Sequence, residues 1–221
     1  MTMTLSLIDG PLARTVATSP TDYWNDSCAV AELEYAVARG ATGATSNPPI
    51  LVEVLRKEQA YWTPRLHELV AAHPTWGEVE ATWGLVEAMV MRGAAVLAPV
   101  FAREGGRKGR LSVQVDPAEF RDASRMVAQG VHLAGLAPNL QVKFPVTTAG
   151  LAAIEEATAR GVAITATVSF TVAQALAAAE AVERGLDRRA REGQPASSAV
   201  PAVMPGHARA AGEGRPVFPG R

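Results

Sequence analysis

Five short apolar segments in this chain each run into a stretch of helical periodicity, and that alternation limits the fold more than any other feature. The segments are residues 22–26 (DYWND), 41–47 (ATGATSN), 110–116 (RLSVQVD), 139–144 (NLQVKF) and 162–170 (VAITATVSF). After the first, Leu33 and Val37 share a helix face and Gly40 marks a stop. After the second, Pro48 and Pro49 lead into ILVEVLRKE. A longer helical region covers 61–104, with HPTWGE as its break. Pro117 suits the first helical position of PAEFRDASRMVAQGVHLAGL. Thr147 or Thr148 caps the helix after the fourth segment, and TVAQALAAAEAVERGL follows the fifth. Strand and helix alternating at this spacing predict βα units and a parallel sheet. The strands read as apolar on both faces, as a covered parallel sheet requires.

Two architectures meet that description, a doubly wound sheet and a (β/α)₈ barrel. Both put ligand sites at the C-terminal ends of their strands. Asp26, Asn47, Lys143 and Thr167 fall at or near such ends. No GxGxxG follows the first segment, which argues against a dinucleotide site.

Lys143 lies inside the apolar run, next to Phe144. A buried ammonium must be paired, must snorkel outward, or must give up its proton. A neutral lysine at a barrel strand end can attack a carbonyl and form a Schiff base. The structural alternative is an ion pair with a nearby carboxylate. Asp26 likewise reads either as a site carboxylate or as a cap for the helix starting near Val30.

Other signals are weaker. His67 and His73 are six apart, whereas a zinc-protease HExxH places its histidines four apart. REGGRKGR (103–110) lacks the GK[ST] ending of a phosphate loop and reads as a solvated connector. Cys28, the one cysteine, allows no internal disulfide, suits a reducing compartment and reads as a small packed thiol. A net charge of −1 gives no reason to expect nucleic acid or an acidic membrane surface as partner. The N-terminus MTMTLSLIDG lacks the pattern of a secretion signal, and the run GAAVLAPVFA is too short to span a bilayer. The expectation is a soluble, cytoplasmic chain.

The stretches DYWNDSC, GATGATSNPPI, LSVQVDP and NLQVKFPVTTAGLAAIEEATARGVAITATVSFTVAQA resemble the transaldolases, in order and at similar spacing, over residues 21–186. That resemblance implies a (β/α)₈ barrel that moves a dihydroxyacetone unit between sugar phosphates in the pentose phosphate pathway, without metal or organic cofactor. It implies that Lys143 is the Schiff-base lysine and Asp26 the acid/base carboxylate. Asn47 matches an asparagine that positions substrate and lysine, and Thr167 a threonine that helps hold the catalytic water. Gln114 stands where many members carry a glutamate, and Thr165 where many carry an asparagine; both read as substrate-binding positions. An amide cannot serve as acid or base, which leaves Gln114 a hydrogen-bonding role.

Beyond Leu186 the composition changes. Residues 187–221 contain no Leu and no Ile, and Ala, Arg, Gly and Pro supply 23 of the 35. The expected division is a partial barrel of about five βα units over 1–186 and a disordered tail over 187–221. The family's phosphate-holding serine and arginine would follow on a sixth strand that this reading does not find. All four enriched residue types have GC-rich codons, so a frame change near Gly193 is expected to have truncated the barrel; a genuine short variant is the alternative. An inert remnant of the family and a simple class I aldolase acting on a sugar phosphate are the competing functional readings.

Overall fold

The computed structural model describes residues 8–201. A helix α1 (Pro11–Thr18) precedes strand β1 (Trp24–Asn25), and α2 (Val30–Val37) returns to β2 (Gly43–Thr45). Three helices follow: α3 (Pro48–Lys57), α4 (Gln59–Ala72) and α5 (Glu78–Arg103). Then come β3 (Arg110–Gln114), α6 (Ala123–Leu136), β4 (Leu140–Pro145), α7 (Thr148–Ala159), β5 (Ile164–Thr167), α8 (Val172–Arg191) and β6 (Ala199–Pro201). All strand pairs are parallel and the spatial order is β1-β2-β3-β4-β5-β6. The order never reverses, so the doubly wound alternative is excluded: the sheet winds one way and curls into a half-barrel.

The curl is visible in one hydrogen bond. Ser112 Oγ on β3 lies 2.9 Å from Thr165 Oγ1 on β5, although β4 runs between them. In a flat sheet those strands would stand roughly 9.6 Å apart, twice the strand spacing, beyond the reach of two such short side chains. Strong concave curvature closes the gap.

That inner face corrects one expectation. The strands are not apolar on both sides; they alternate. Leu111, Val113, Val115, Leu140, Val142, Phe144, Ile164 and Ala166 belong to the hydrophobic core. They face the helices: a Cβ at Gly93 of α5 would meet Leu111, and one at Gly130 of α6 would overlap the Phe144 ring. The intervening residues Ser112, Gln141, Lys143, Thr165 and Thr167 are buried and polar. Period-two geometry sends them to the concave side.

By length and composition α5 could also cross a membrane, with 26 residues and a mean hydropathy of 1.7 over its most apolar window. Here Leu85, Met89, Val90, Leu97 and Val100 form a stripe buried in the core. At its end Gly109 turns the chain into β3 with φ +77°, and a Cβ there would overlap the Phe101 backbone.

Three local readings differ from expectation. Pro117 opens only a short 3₁₀ turn, Pro117–Glu119; α6 starts later, where Asp122 accepts a hydrogen bond from the Arg125 N–H (3.0 Å). The boundary at Leu186 falls inside α8, which continues to Arg191. The continuation contains no large apolar residue. It is tied to α7 through Arg188–Glu156 (2.7 Å), with Arg184–Glu155 (2.6 Å) one turn earlier. Its last turn carries Arg188, Arg189 and Arg191, which suits the negative end of the helix dipole. A sixth strand does exist, since Ala199–Pro201 pairs with Ile164–Ala166 of β5. The remainder of the expected tail, 202–221, lies outside the described residues, as do 1–7.

Candidate active site

Lys143 sits near the C-terminal end of β4, a strand buried along its whole length. Its side chain points to the concave face and the residue is 9% exposed. Among the described residues the amine makes one hydrogen bond, Nζ donating to the Ser46 carbonyl oxygen (3.1 Å), and no ion pair. The chain's two other lysines are different. Lys57 pairs with Glu32 (2.8 Å) and Lys108 with Asp22 (2.7 Å). Burial pushes the Lys143 amine below its ordinary value, and the charge of Asp26 opposes that shift without cancelling it. Among the described residues the ion pair of the structural alternative is therefore not found.

Register brings the neighbours in. Lys143 is paired with Gln114 on one side and Thr165 on the other. Pro145 is paired with Thr167 one step higher. On β2 the ladder ends at Thr45 opposite Ser112, so Asn47, two residues on, is level with Gln114. Asn47 caps α3, its Oδ1 accepting from the Ile50 N–H (3.0 Å), which leaves its NH₂ as a donor. Pro48 at the first helical position then fixes the turn from strand to helix. Asp26 follows β1 directly and is exposed. It is not the cap of α2: that position is Ala29, whose N–H is met by Ser27 Oγ (3.2 Å). All six expected positions, Asp26, Asn47, Gln114, Lys143, Thr165 and Thr167, thus gather at or near the C-terminal strand ends.

Val168, next to Thr167, has φ +58°. A β-branched residue there is strained, and such strain concentrates at functional sites. Thr147, not Thr148, caps α7, with Oγ1 accepting from Gly150 N–H (2.9 Å). The basic connector 103–110 lies at the opposite end of β3, where Lys108 is held by Asp22 and Arg110 donates to the Gly106 carbonyl oxygen (2.8 Å). Cys28 is buried, and burial pushes its thiol up to about 12, as befits an inert packed side chain.

Two residues of the inner face were not anticipated: Gln141, whose Nε2 donates to Thr165 Oγ1 (2.9 Å), and Ser112. Their signal was the strict alternation L-S-V-Q and L-Q-V-K in strands 3 and 4.

Lys143→Met is expected to raise stability at neutral pH by about 1 kcal/mol, a usual gain when a functional strain is relieved. The unfolded chain keeps the lysine proton up to its ordinary range while the folded one releases it sooner. Wild-type stability therefore rises with pH between the two values, and the advantage of the methionine shrinks as pH approaches about 10.5. Thermal melts of both proteins across that range check this.

A parallel half-barrel with a buried lysine, amides and hydroxyls at its C-terminal strand ends defines a (β/α)-barrel-type chain, and barrels of this type carry their ligand sites at that end. The chain belongs to the transaldolase/fructose-6-phosphate aldolase family, whose model matches residues 23–203. It is 35% identical over 168 residues to a transaldolase of Thermobifida fusca, covering 75% of this chain and 45% of that protein. It is 34% identical over 157 residues to a transaldolase of Thiobacillus denitrificans, covering 70% and 43%. With transaldolase 1 of Streptomyces avermitilis the identity is 33% over 148 residues, covering 66% and 38%. The chain thus spans less than half the length of these curated relatives.

Proposed function

We propose that this chain carries the lysine half of a transaldolase-type site and acts on ketose phosphates of the pentose phosphate route. The observation that carries the reading is Lys143, buried on the concave face with no ion pair among the described residues, its proton affinity lowered by that burial. The Lys143 amine attacks the ketose carbonyl, and loss of water leaves an iminium. The iminium accepts the electron pair of the carbon–carbon bond beside it as that bond breaks. Asp26 takes the proton of the adjacent hydroxyl, so that an aldehyde leaves and an enamine stays on Lys143. The reverse steps with a second aldehyde complete a transfer. Asn47 and Thr167 hold substrate oxygens or water through their donor groups.

One observation favours a second reading, aldol cleavage without transfer to an acceptor sugar phosphate. Among the described residues, the inner positions at the C-terminal strand ends carry no arginine to grip a phosphate.

Dihydroxyacetone needs no phosphate grip and therefore tests the lysine chemistry alone. Its carbon-bound protons are expected to exchange with deuterium in the presence of the protein, as followed by proton NMR, because the enamine forms and reprotonates. Exchange no faster than in buffer would count against the reading.

Gln114→Glu sharpens it. The new carboxylate would stand one strand spacing, about 4.8 Å in backbone terms, from Lys143. It supplies a base that the amide cannot, and exchange per adduct is expected to rise about 10²-fold, the low end of what a positioned base contributes. The same charge favours the ammonium, so the pH at which adduct formation is half-maximal is expected to move upward. A variant with unchanged exchange and an unchanged pH profile would remove Gln114 from the site.

A further inference from the structure

Ser112 and Gln141 have no part in the steps above, yet both are fully buried on the concave face, one level below Lys143. Gln141 Nε2 donates to the Ile164 carbonyl oxygen (2.8 Å) and to Thr165 Oγ1 (2.9 Å). A carbonyl oxygen only accepts, so the nitrogen end of this amide is fixed at that place. Ser112 Oγ stands 2.9 Å from the same Thr165 oxygen.

The proton count is informative. Ser112 and Thr165 together own two hydroxyl protons, and the bond they share uses one. Among the described residues neither hydroxyl has a further acceptor, and Gln141 Oε1, itself without a partner, does not take the second proton. When Ser112 donates, both lone pairs of Thr165 are filled, one by Ser112 and one by Gln141. The Thr165 proton is then left to point away from both, and Thr165 shares the concave face with its register neighbour Lys143. The stiff χ1 of a threonine in a strand helps to hold that direction.

We propose that Ser112 and Gln141 are positioning residues for the lysine chemistry. They saturate Thr165 as an acceptor and make its hydroxyl a donor aimed at the oxygen of a ketone held at Lys143. A donor oriented before the substrate arrives stabilises developing charge without reorganising. This rests on the reading of Lys143 as the nucleophile.

The test is the rate of reductive trapping of the full chain by dihydroxyacetone and cyanoborohydride, measured against ketone concentration. Thr165→Val, Gln141→Met and Ser112→Ala are each expected to lower the limiting rate by about tenfold or more, while the half-saturating concentration changes little. Thr165→Ser should recover most of the loss. The Gln141→Met/Thr165→Val pair should be no slower than Thr165→Val alone, because the amide acts through that hydroxyl. Melts of each variant separate stability from rate, and Ser112→Ala, the smallest deletion, guards against variants that do not fold. Losses that multiply in the pair, or folded variants that trap at the wild-type rate, overturn the proposal and leave Lys143 as nucleophile. A wild-type protein that forms no adduct at all overturns both.

Discussion

A Lys143→Met protein is expected to fold, to melt higher than the wild type, and to lose dihydroxyacetone exchange by about 10⁴-fold or more, the scale on which removal of a covalent nucleophile acts. Two properties of the site make the effect that large. Among the described residues the amine is the only lysine amine on the concave face, since Lys57 and Lys108 are spent in ion pairs elsewhere. Burial already lowers its proton affinity, which moves it toward the neutral, nucleophilic form. Thioether and amine side chains are close in length, so the cavity stays filled. Loss of exchange with retained or improved melting would separate chemistry from folding. Loss of both would return Lys143 to a structural role.

Asp26→Asn is expected to divide the reaction in two. Exchange, which needs a proton carrier, should fall by about 10²–10⁴-fold, the range that positioned acid/base groups contribute. Trapping should not fall with it. The Asp26 charge raises the Lys143 proton affinity against the lowering effect of burial. Removing that charge leaves more neutral amine near pH 7, so adduct formation should hold or quicken. Asn retains the shape and accepts hydrogen bonds through its amide oxygen, and Asp26 does not cap α2, which limits the structural cost. Parallel loss in trapping and exchange would show that the residue serves folding instead. Rates of the two steps, measured on one preparation of each protein, decide between these outcomes.

Much of this fold could be read from the chain because each of its local signals is strong. Pro48 after Asn47, Thr147 ahead of Gly150, and Gly40 after Val37 punctuate βα units whichever architecture they build. The choice between barrel and doubly wound sheet rests on family likeness and not on the segments themselves, because strand order is a property of long-range pairing that no single segment carries. The six candidate residues followed from strand ends and from family likeness. Ser112 and Gln141 do not stand out in strands that look uniformly apolar, although L-S-V-Q and L-Q-V-K alternate with period two. Their polar members are hidden by the curl of the sheet, not by an overlying layer. The extension of α8 is hidden in the sequence for a different reason. DRRAR holds no apolar residue, and its helix depends on ion pairs to Glu155 and Glu156 and on small residues, Ala181 and Gly185, meeting α7. Interactions of that kind leave no mark in a hydrophobic pattern.

The central claim is that Lys143 carries the substrate as an imine, and peptide mapping of the protein after treatment with dihydroxyacetone and cyanoborohydride tests it most directly. Reduction of the imine leaves the three-carbon unit on nitrogen through a stable amine, so the modified residue can be read from fragment masses. The account predicts one modified site, Lys143, with Lys57 and Lys108 unmodified: Glu32 holds the Lys57 amine in its ammonium form, and Asp22 pairs with Lys108. A label that falls on Lys57 or Lys108 and persists in Lys143→Met would contradict it.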